Sequence, residues 1–230
     1  MAIALDATSS SANQTATSVT FAHTCTGSNL ALVIGISSAS SVSRLVSTIT
    51  YNGVSLTKIT AVDETTNHNR IIELWYLLAP ATGANNIVVT YVTAPDSFYS
   101  VAAVSYTGVK QSAQPDASGT NTTGAGTATS IAQSITTVAD NCWIMGVSCN
   151  QANGTSNTAD AGSFLRLGVY ERVAGARELW QLDSNGAKTP AGSYSQGYSW
   201  TTATKATLIV ASIAPAVSSA THRGFFGFMG

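Results

Sequence analysis

Charge is the first thing this sequence lacks. Asp, Glu, Lys and Arg make up 9 % of its 230 residues, against roughly 25 % in ordinary globular domains. Ten basic and eleven acidic side chains leave a net charge of -1. A chain so poor in Lys and Arg is badly equipped to neutralise phosphates, which argues against sequence-independent nucleic-acid binding. Long apolar runs are missing too. None approaches the ~18 residues of a membrane-spanning helix, so no membrane partner is expected. The opening MAIALDATSS has neither a basic stretch nor a long apolar one, so no secretory signal is read there. Cysteine is scarce and odd in number: Cys25, Cys142 and Cys149. That excludes a complete disulfide framework. Cys142 and Cys149 fall on one expected strand, where an odd separation points them to opposite faces and keeps them from bonding. With no CxxC and no zinc-like Cys/His spacing, the thiols read as buried and unpaired in a reducing cytoplasm.

What the chain does have is apolar residues and hydroxyls. Hydrophobic residues supply 44 % of it, enough for a sizeable core, and Ser plus Thr supply about a quarter. Hydroxyls in place of charge suit strands with Thr on the wet face and a surface spent on contacts with neighbours. Period-2 patterns bounded by Gly, Asn, Ser and Pro dominate. About fourteen short strands are expected, among them Val46–Tyr51, Arg70–Ala79, Cys142–Cys149 and Ala206–Ala214. Arg70–Ala79 is apolar on both faces, as a strand covered on both sides would be. Asn52-Gly53 reads as a type I′ hairpin turn, because both residues tolerate positive φ. Residues 110–129 and 150–162 read as long exposed loops of low complexity. A short turn near Leu182–Lys188 is the best helical candidate. The halves on either side of Gly119 show no regular repeat. The expected fold is all-β, an antiparallel, jelly-roll-like β-sandwich forming one domain over residues 1–217, with a tail over 218–230.

Catalytic signatures are absent. There is no G-x-S-x-G, Walker A, H-E-x-x-H or calcium-loop pattern. His23, His68 and His222 fall far apart in the sequence, so no catalytic or metal-binding set is read from them. A glycosidase pair needs two acids across one cleft. Glu64 and Glu73 flank one loop, and Glu171 and Glu178 flank another beside Arg172 and Arg177, where cross-strand ion pairs are the simpler account. The chain is therefore read as no enzyme, with no catalytic residue, no metal and no cofactor. Carbohydrate binding is the stronger competitor, since sugars stack on exposed aromatic rings. Trp75, Trp180, Trp200, Tyr194 and Tyr198 are the candidates for that role, each equally at home in a core.

The closing THRGFFGFMG is a separate feature. Phe225, Phe226, Phe228 and Met229 are concentrated after the last strand and would be an aggregation liability in water. They are expected either to fold back on their own domain or to act as an assembly contact on a neighbouring subunit.

Several segments together carry a resemblance: ALDATSS, HTCTGSNLALVIGIS, TITYNGVSLTKI, ELWYLLAPATGANNIVVTY, AAVSYTGVKQSAQPDASGT and HRGFFGFMG. From Ala4 to Gly230 the chain resembles a group of β-rich proteins encoded by tailed bacteriophages and prophage-like regions. The resemblance implies a virion structural protein, a capsid decoration or cement protein, assembled in the host bacterial cytoplasm. Its partners would be further copies of itself, as a homo-oligomer such as a trimer, and the major capsid protein or other virion proteins. It brings no catalytic residues. The competing expectation is a carbohydrate- or receptor-binding sandwich on a phage tail or cell surface.

Overall fold

Along the most hydrophobic strands, apolar–polar alternation gives way to runs that are apolar at both parities. The computed structural model, which describes residues 1–151, 156–171 and 177–217, explains why. The first half contains β1 (Ala4–Gln14), β2 (Ser18–Cys25), β3 (Ala31–Ala39), β4 (Val46–Tyr51), β5 (Val54–Ser55), β6 (Thr57–Asp63), a one-turn helix α1 (Thr65–His68), β7 (Arg70–Leu78), β8 (Gly83–Tyr91) and β9 (Phe98–Thr107). They make a five-stranded sheet, β1-β9-β3-β7-β6, and a four-stranded sheet, β2-β8-β4-β5. The antiparallel pairs β1–β9, β2–β8 and β3–β7 nest inside one another. That is the pairing of one long hairpin rolled into a jelly roll.

The second half repeats this plan. It runs β10 (Ala117–Thr122), β11 (Ala128–Thr136), β12 (Trp143–Asn150), β13 (Asn157–Ala159), β14 (Phe164–Glu171), β15 (Arg177–Asp183), β16 (Ser193–Thr204) and β17 (Ala206–Ile213). Its sheets are β10-β17-β12-β15-β14 and β11-β16-β13. Putting β10 for β1, β11 for β2, β12 for β3, β13 for β4 and β14 to β17 for β6 to β9 converts one set into the other. Among the described strands only β5 has no counterpart. The antiparallel jelly-roll sandwich expected from the pattern is present, and it is present twice within residues 1–217. The division falls in the segment 108–116. Gly119 lies inside β10.

The two sandwiches stack back to back through their five-stranded sheets, giving four layers and three cores. The central core sets Val33, Leu74 and Val104 against Met145, Val147 and Ile209. One outer core holds Ile34, Trp75 and Val101 against Ile49, Ile87 and Val89. The other holds Ile144 and Leu208 against Ile131, Tyr198 and Trp200. Both inner sheets are therefore covered on both faces, which is why β3, β9, β12 and β17 are buried almost throughout. Contacts across the central core are largely reciprocal, the meeting of β1 with β14 being the exception. β3 meets β12; β7 meets β12 as β3 meets β15; β9 meets β15 as β7 meets β17; β9 meets β14 as β6 meets β17. This is the pattern of an approximate two-fold axis. At its centre the layers approach closely: a Cβ on Gly35 would lie 2.6 Å from Val147 Cγ2 and 2.5 Å from Gln181 Oε1.

Local signals behave as read at several points. Asn52 and Gly53 have φ of 49° and 77° and join β4 to β5, as a type I′ turn requires. The three cysteines are unbonded and buried. Cys149 faces the central core, while Cys142 Sγ points to Asp116. Three expectations fail. The stretch 110–129 holds β10 and the start of β11, and 150–162 holds β13; their Ser, Thr and Gly serve as strand residues. Leu182–Lys188 is no helix, since Leu182 and Asp183 close β15.

Candidate functional site

The aromatic residues proposed for sugar stacking are mostly interior. Trp75, Trp200 and Tyr198 are buried, and Trp180 and Tyr194 are half-buried against the same cores. This corrects the stacking assignment for Trp75, Trp200 and Tyr198: in a four-layer stack the inner sheets have no wet face, and the outer sheets turn their aromatics inward. Trp75 and Trp180 occupy equivalent places in a repeated Glu-Leu-Trp-x-Leu segment, Glu73–Leu77 and Glu178–Leu182. In both halves the indole N–H donates to the glutamate two residues earlier, at 3.2 Å for Trp75–Glu73 and 3.1 Å for Trp180–Glu178. Lys58, opposite Trp75, lies 4.7 Å from its ring and 2.6 Å from Glu73. Gly168 takes that place opposite Trp180, and the ring lies so close that a Cβ would meet it at 2.6 Å.

Of the four acids weighed as glycosidase pairs, Glu64, Glu73 and Glu178 have side chains among the described residues. Glu73 and Glu178 are buried. Burial pushes both carboxyls above the usual range, opposed at Glu73 by Lys58 and the Val46 amide, and at Glu178 by Trp180 and Asn157. Each is held by structural partners: Glu73 by the Val46 amide, Trp75 and Lys58, and Glu178 by Trp180 and Asn157. Glu64 is buried beside α1, accepts the Asn67 amide at 2.5 Å and donates its own N–H to Arg70 O. The side chains of His68, Glu171 and Arg177 lie outside the described residues, as do Arg172, His222, Phe225, Phe226, Phe228 and Met229.

One polar constellation is not visible in sequence spacing. His23 on β2 is 2 % exposed. Its Nδ1 is 2.8 Å from Ser9 Oγ and its Nε2 is 3.0 Å from Ser105 Oγ. Ser105 donates to Asp6 Oδ2 at 2.7 Å. The order hydroxyl, imidazole, hydroxyl, carboxylate ties β1, β2 and β9 together where the two sheets of the first sandwich meet. The carboxylate reaches the imidazole only through Ser105, and the two large grooves described below are lined by other residues. The network therefore acts as a seam. Burial lowers the His23 pKa, opposed by Asp6. Burial raises that of Asp6, but hydrogen bonds from Thr26 and Ser105 outweigh it and lower it. Both folded values lie below their unfolded ones, so the unfolded chain binds protons first as pH falls. Stability is expected to be full above about pH 6.5 and to decline from there through the histidine range, then further through the carboxylate range. A His23→Gln variant should flatten the upper part of a urea-midpoint profile between about pH 5 and 7; an unchanged slope there would remove His23 as its cause.

Two grooves lie where the start, the middle and the last described residues of the chain meet. There Lys110 N donates to Ala214 O at 2.9 Å and Ala216 N to Gly108 O at 2.7 Å. The Met1 ammonium donates to Ala216 O at 2.7 Å. Of the grooves flanking this junction, one, about 730 Å³, lies between Met1–Ile3, Trp143 and Ala187. The other, about 710 Å³, lies between Pro115, Val138, Ala139 and Ala214. Asp140, Pro215 and Val217 line both.

Charge is distributed in an unusual way. Among the described residues, every Asp, Glu, Lys and Arg found in a strand lies in an inner sheet, on β1, β6, β7, β14 or β15; β2, β4, β5, β8, β11, β13 and β16 carry none. The outer sheets face solvent with rows of hydroxyls. Ser18, Thr90 and Thr48 stand side by side on one. Ser130, Ser199 and Thr158 repeat that row on the other. Among the described residues no group of three His, Cys, Asp or Glu could hold a metal ion, and no helix is long and apolar enough to cross a membrane. Comparison with known protein families, with curated proteins and with solved structures finds no match to this chain.

Proposed function

We propose that this chain is a structural assembly subunit, a virion protein of a tailed bacteriophage that coats or cements the head through contacts between subunits. The observation that carries the reading is the pair of charge-free, hydroxyl-bearing faces at opposite ends of the stack. Interface centres are depleted of charge, whereas a solitary soluble protein places its charges outward. Here the ionic side chains of the strands stay in the inner sheets and the outer faces are left for neighbours, further copies of this chain or the major capsid protein. The resemblance to phage-encoded β-rich proteins points the same way.

The direct test is the copy number and position of the chain in purified particles. A sharper one adds charge to the faces. Thr20 and Ser195 are exposed on the two outer sheets, so Thr20→Lys and Ser195→Lys should change stability by no more than about 0.5 kcal/mol. The double variant is expected to lose at least tenfold in particle binding with an unshifted melting temperature. Undiminished binding would remove the outer faces from the assembly.

A second reading, carbohydrate binding, keeps one observation. On edge strand β14, Phe164 and Tyr170 are exposed, Arg166 sits 4.5 Å over the Phe164 ring, and Tyr170 packs edge-on against Trp180. If this edge binds glycans, affinity on a glycan panel disappears in Tyr170→Ala; no binding by the intact chain ends that reading.

A further inference from the structure

The two grooves at the chain junction have mixed walls, with Lys110 and Asp116 among the residues of the second, and two of the valines on them are exposed to solvent. Val217, the last described residue, is 89 % exposed, and Val138 beside it is 66 % exposed. Both line the 710 Å³ groove with Pro115, Ala139 and Pro215. This is where the chain continues into SSATHRGFFGFMG. Within those thirteen residues, Arg223 is the only Asp, Glu, Lys or Arg, and Phe225, Phe226, Phe228 and Met229 supply the apolar bulk. The rim shared by both grooves carries an exposed carboxylate, Asp140. It accepts the Ala191 amide through Oδ1 and has acceptor capacity to spare for a guanidinium.

We propose that these grooves are the seat of the chain's own C-terminal segment: Phe225–Met229 fill them in cis, and Arg223 meets Asp140 at the rim. Length permits it. Phe225 is eight residues beyond Val217, a reach of roughly 26–29 Å when extended, ample for a segment that must turn back only onto the groove beside its origin. Gly224 and Gly227 supply the conformational freedom for such a return. Volume permits it, since grooves of this size accommodate several rings. Tethering decides between this chain and another: a short linker holds the segment at an effective concentration in the millimolar range, above that of a second copy in dilute solution. The proposal does not depend on the particle reading above.

Hydrogen exchange on the full-length chain at micromolar concentration tests it. The amides of residues 225–229 are expected to exchange at least tenfold more slowly than in the same peptide free in solution. Val138→Asp, at an exposed position outside the strands, is expected to abolish that protection while exchange in β12 stays as in the parent. Three results would overturn the proposal: tail amides exchanging at free-peptide rates in the parent chain, protection that survives Val138→Asp, or protection that appears only at concentrations where the chain dimerises. The last would place the segment in the seat of a second copy.

Discussion

Replacing Asp183 with alanine is expected to lower the unfolding free energy by about 3–5 kcal/mol, the cost of breaking a buried ion pair by removing one partner. Asp183 is fully buried at the end of β15. Its oxygens accept from Arg166 Nε and NH2, both at 2.8 Å, from the Tyr106 hydroxyl at 3.0 Å and from the Asn185 amide at 2.8 Å. Tyr106 belongs to the other sandwich, so one carboxylate joins the two inner sheets. Burial holds the Tyr106 phenol far above its ordinary pKa, reinforced by the carboxylate, and it stays a donor at any ordinary pH. Alanine leaves the buried Tyr106 hydroxyl without its carboxylate acceptor and the guanidinium with Asn185 Oδ1, 2.7 Å from NH2, in place of a charge partner. The triple change Arg166→Met, Asp183→Leu, Tyr106→Phe should recover most of the loss, because apolar replacements avoid desolvating charge. Urea unfolding of the three proteins decides it, and a single-variant loss under about 1 kcal/mol would show the cluster to be wet and weak.

Cutting the chain in two is expected to abolish independent folding of both pieces. The segments 1–112 and 113–230 each contain a complete jelly roll, yet each also contributes one wall of the central core. Val33, Ile72, Leu74 and Val104 alone would be uncovered on the first piece. At about 1.5–3 kcal/mol per fully buried side chain, their loss from the interior costs roughly 6–12 kcal/mol, as much as a whole domain's stability. Each piece expressed alone should aggregate or bind a hydrophobic dye, and co-expression should restore a soluble one-to-one complex. A monodisperse, cooperatively melting single piece would show that the halves are independent domains.

The strands were legible where period two and turn chemistry agreed. Val46–Tyr51, the Asn52-Gly53 turn and the two-sided apolarity of Arg70–Leu78 could all be read residue by residue. β10 and β13 could not, because ASGTNT and NTA carry no alternation to distinguish them from loop. The duplication was missed for a related reason. The clearest shared signal is as short as Glu-Leu-Trp-x-Leu, spaced by 105 residues from Glu73 to Glu178. The stacking aromatics were misplaced because an alternating strand reports which residues share a face and not how many layers cover that face. The His23 network was invisible for a third reason: Ser9, Ser105 and Asp6 come to it from sequence positions that only the rolled topology brings together.

The reciprocal contacts across the central core carry a consequence for how such a chain could arise. A surface that meets its own equivalent through a two-fold axis is an isologous interface, the commonest arrangement of homodimers. Read that way, the molecule is a dimer of one jelly roll whose two copies have been joined covalently, with residues 108–116 as the joint. Fusion removes the concentration dependence of such a dimer and frees the copies to diverge. Lys58 in one and Gly168 in the other, facing equivalent tryptophans, mark that divergence, as does the β5 turn present on one side. The Met1 ammonium lying against Ala216 O puts the start of the first copy beside the end of the second. A chain rejoined there and opened at 112–113 would run second half first and close the same four layers.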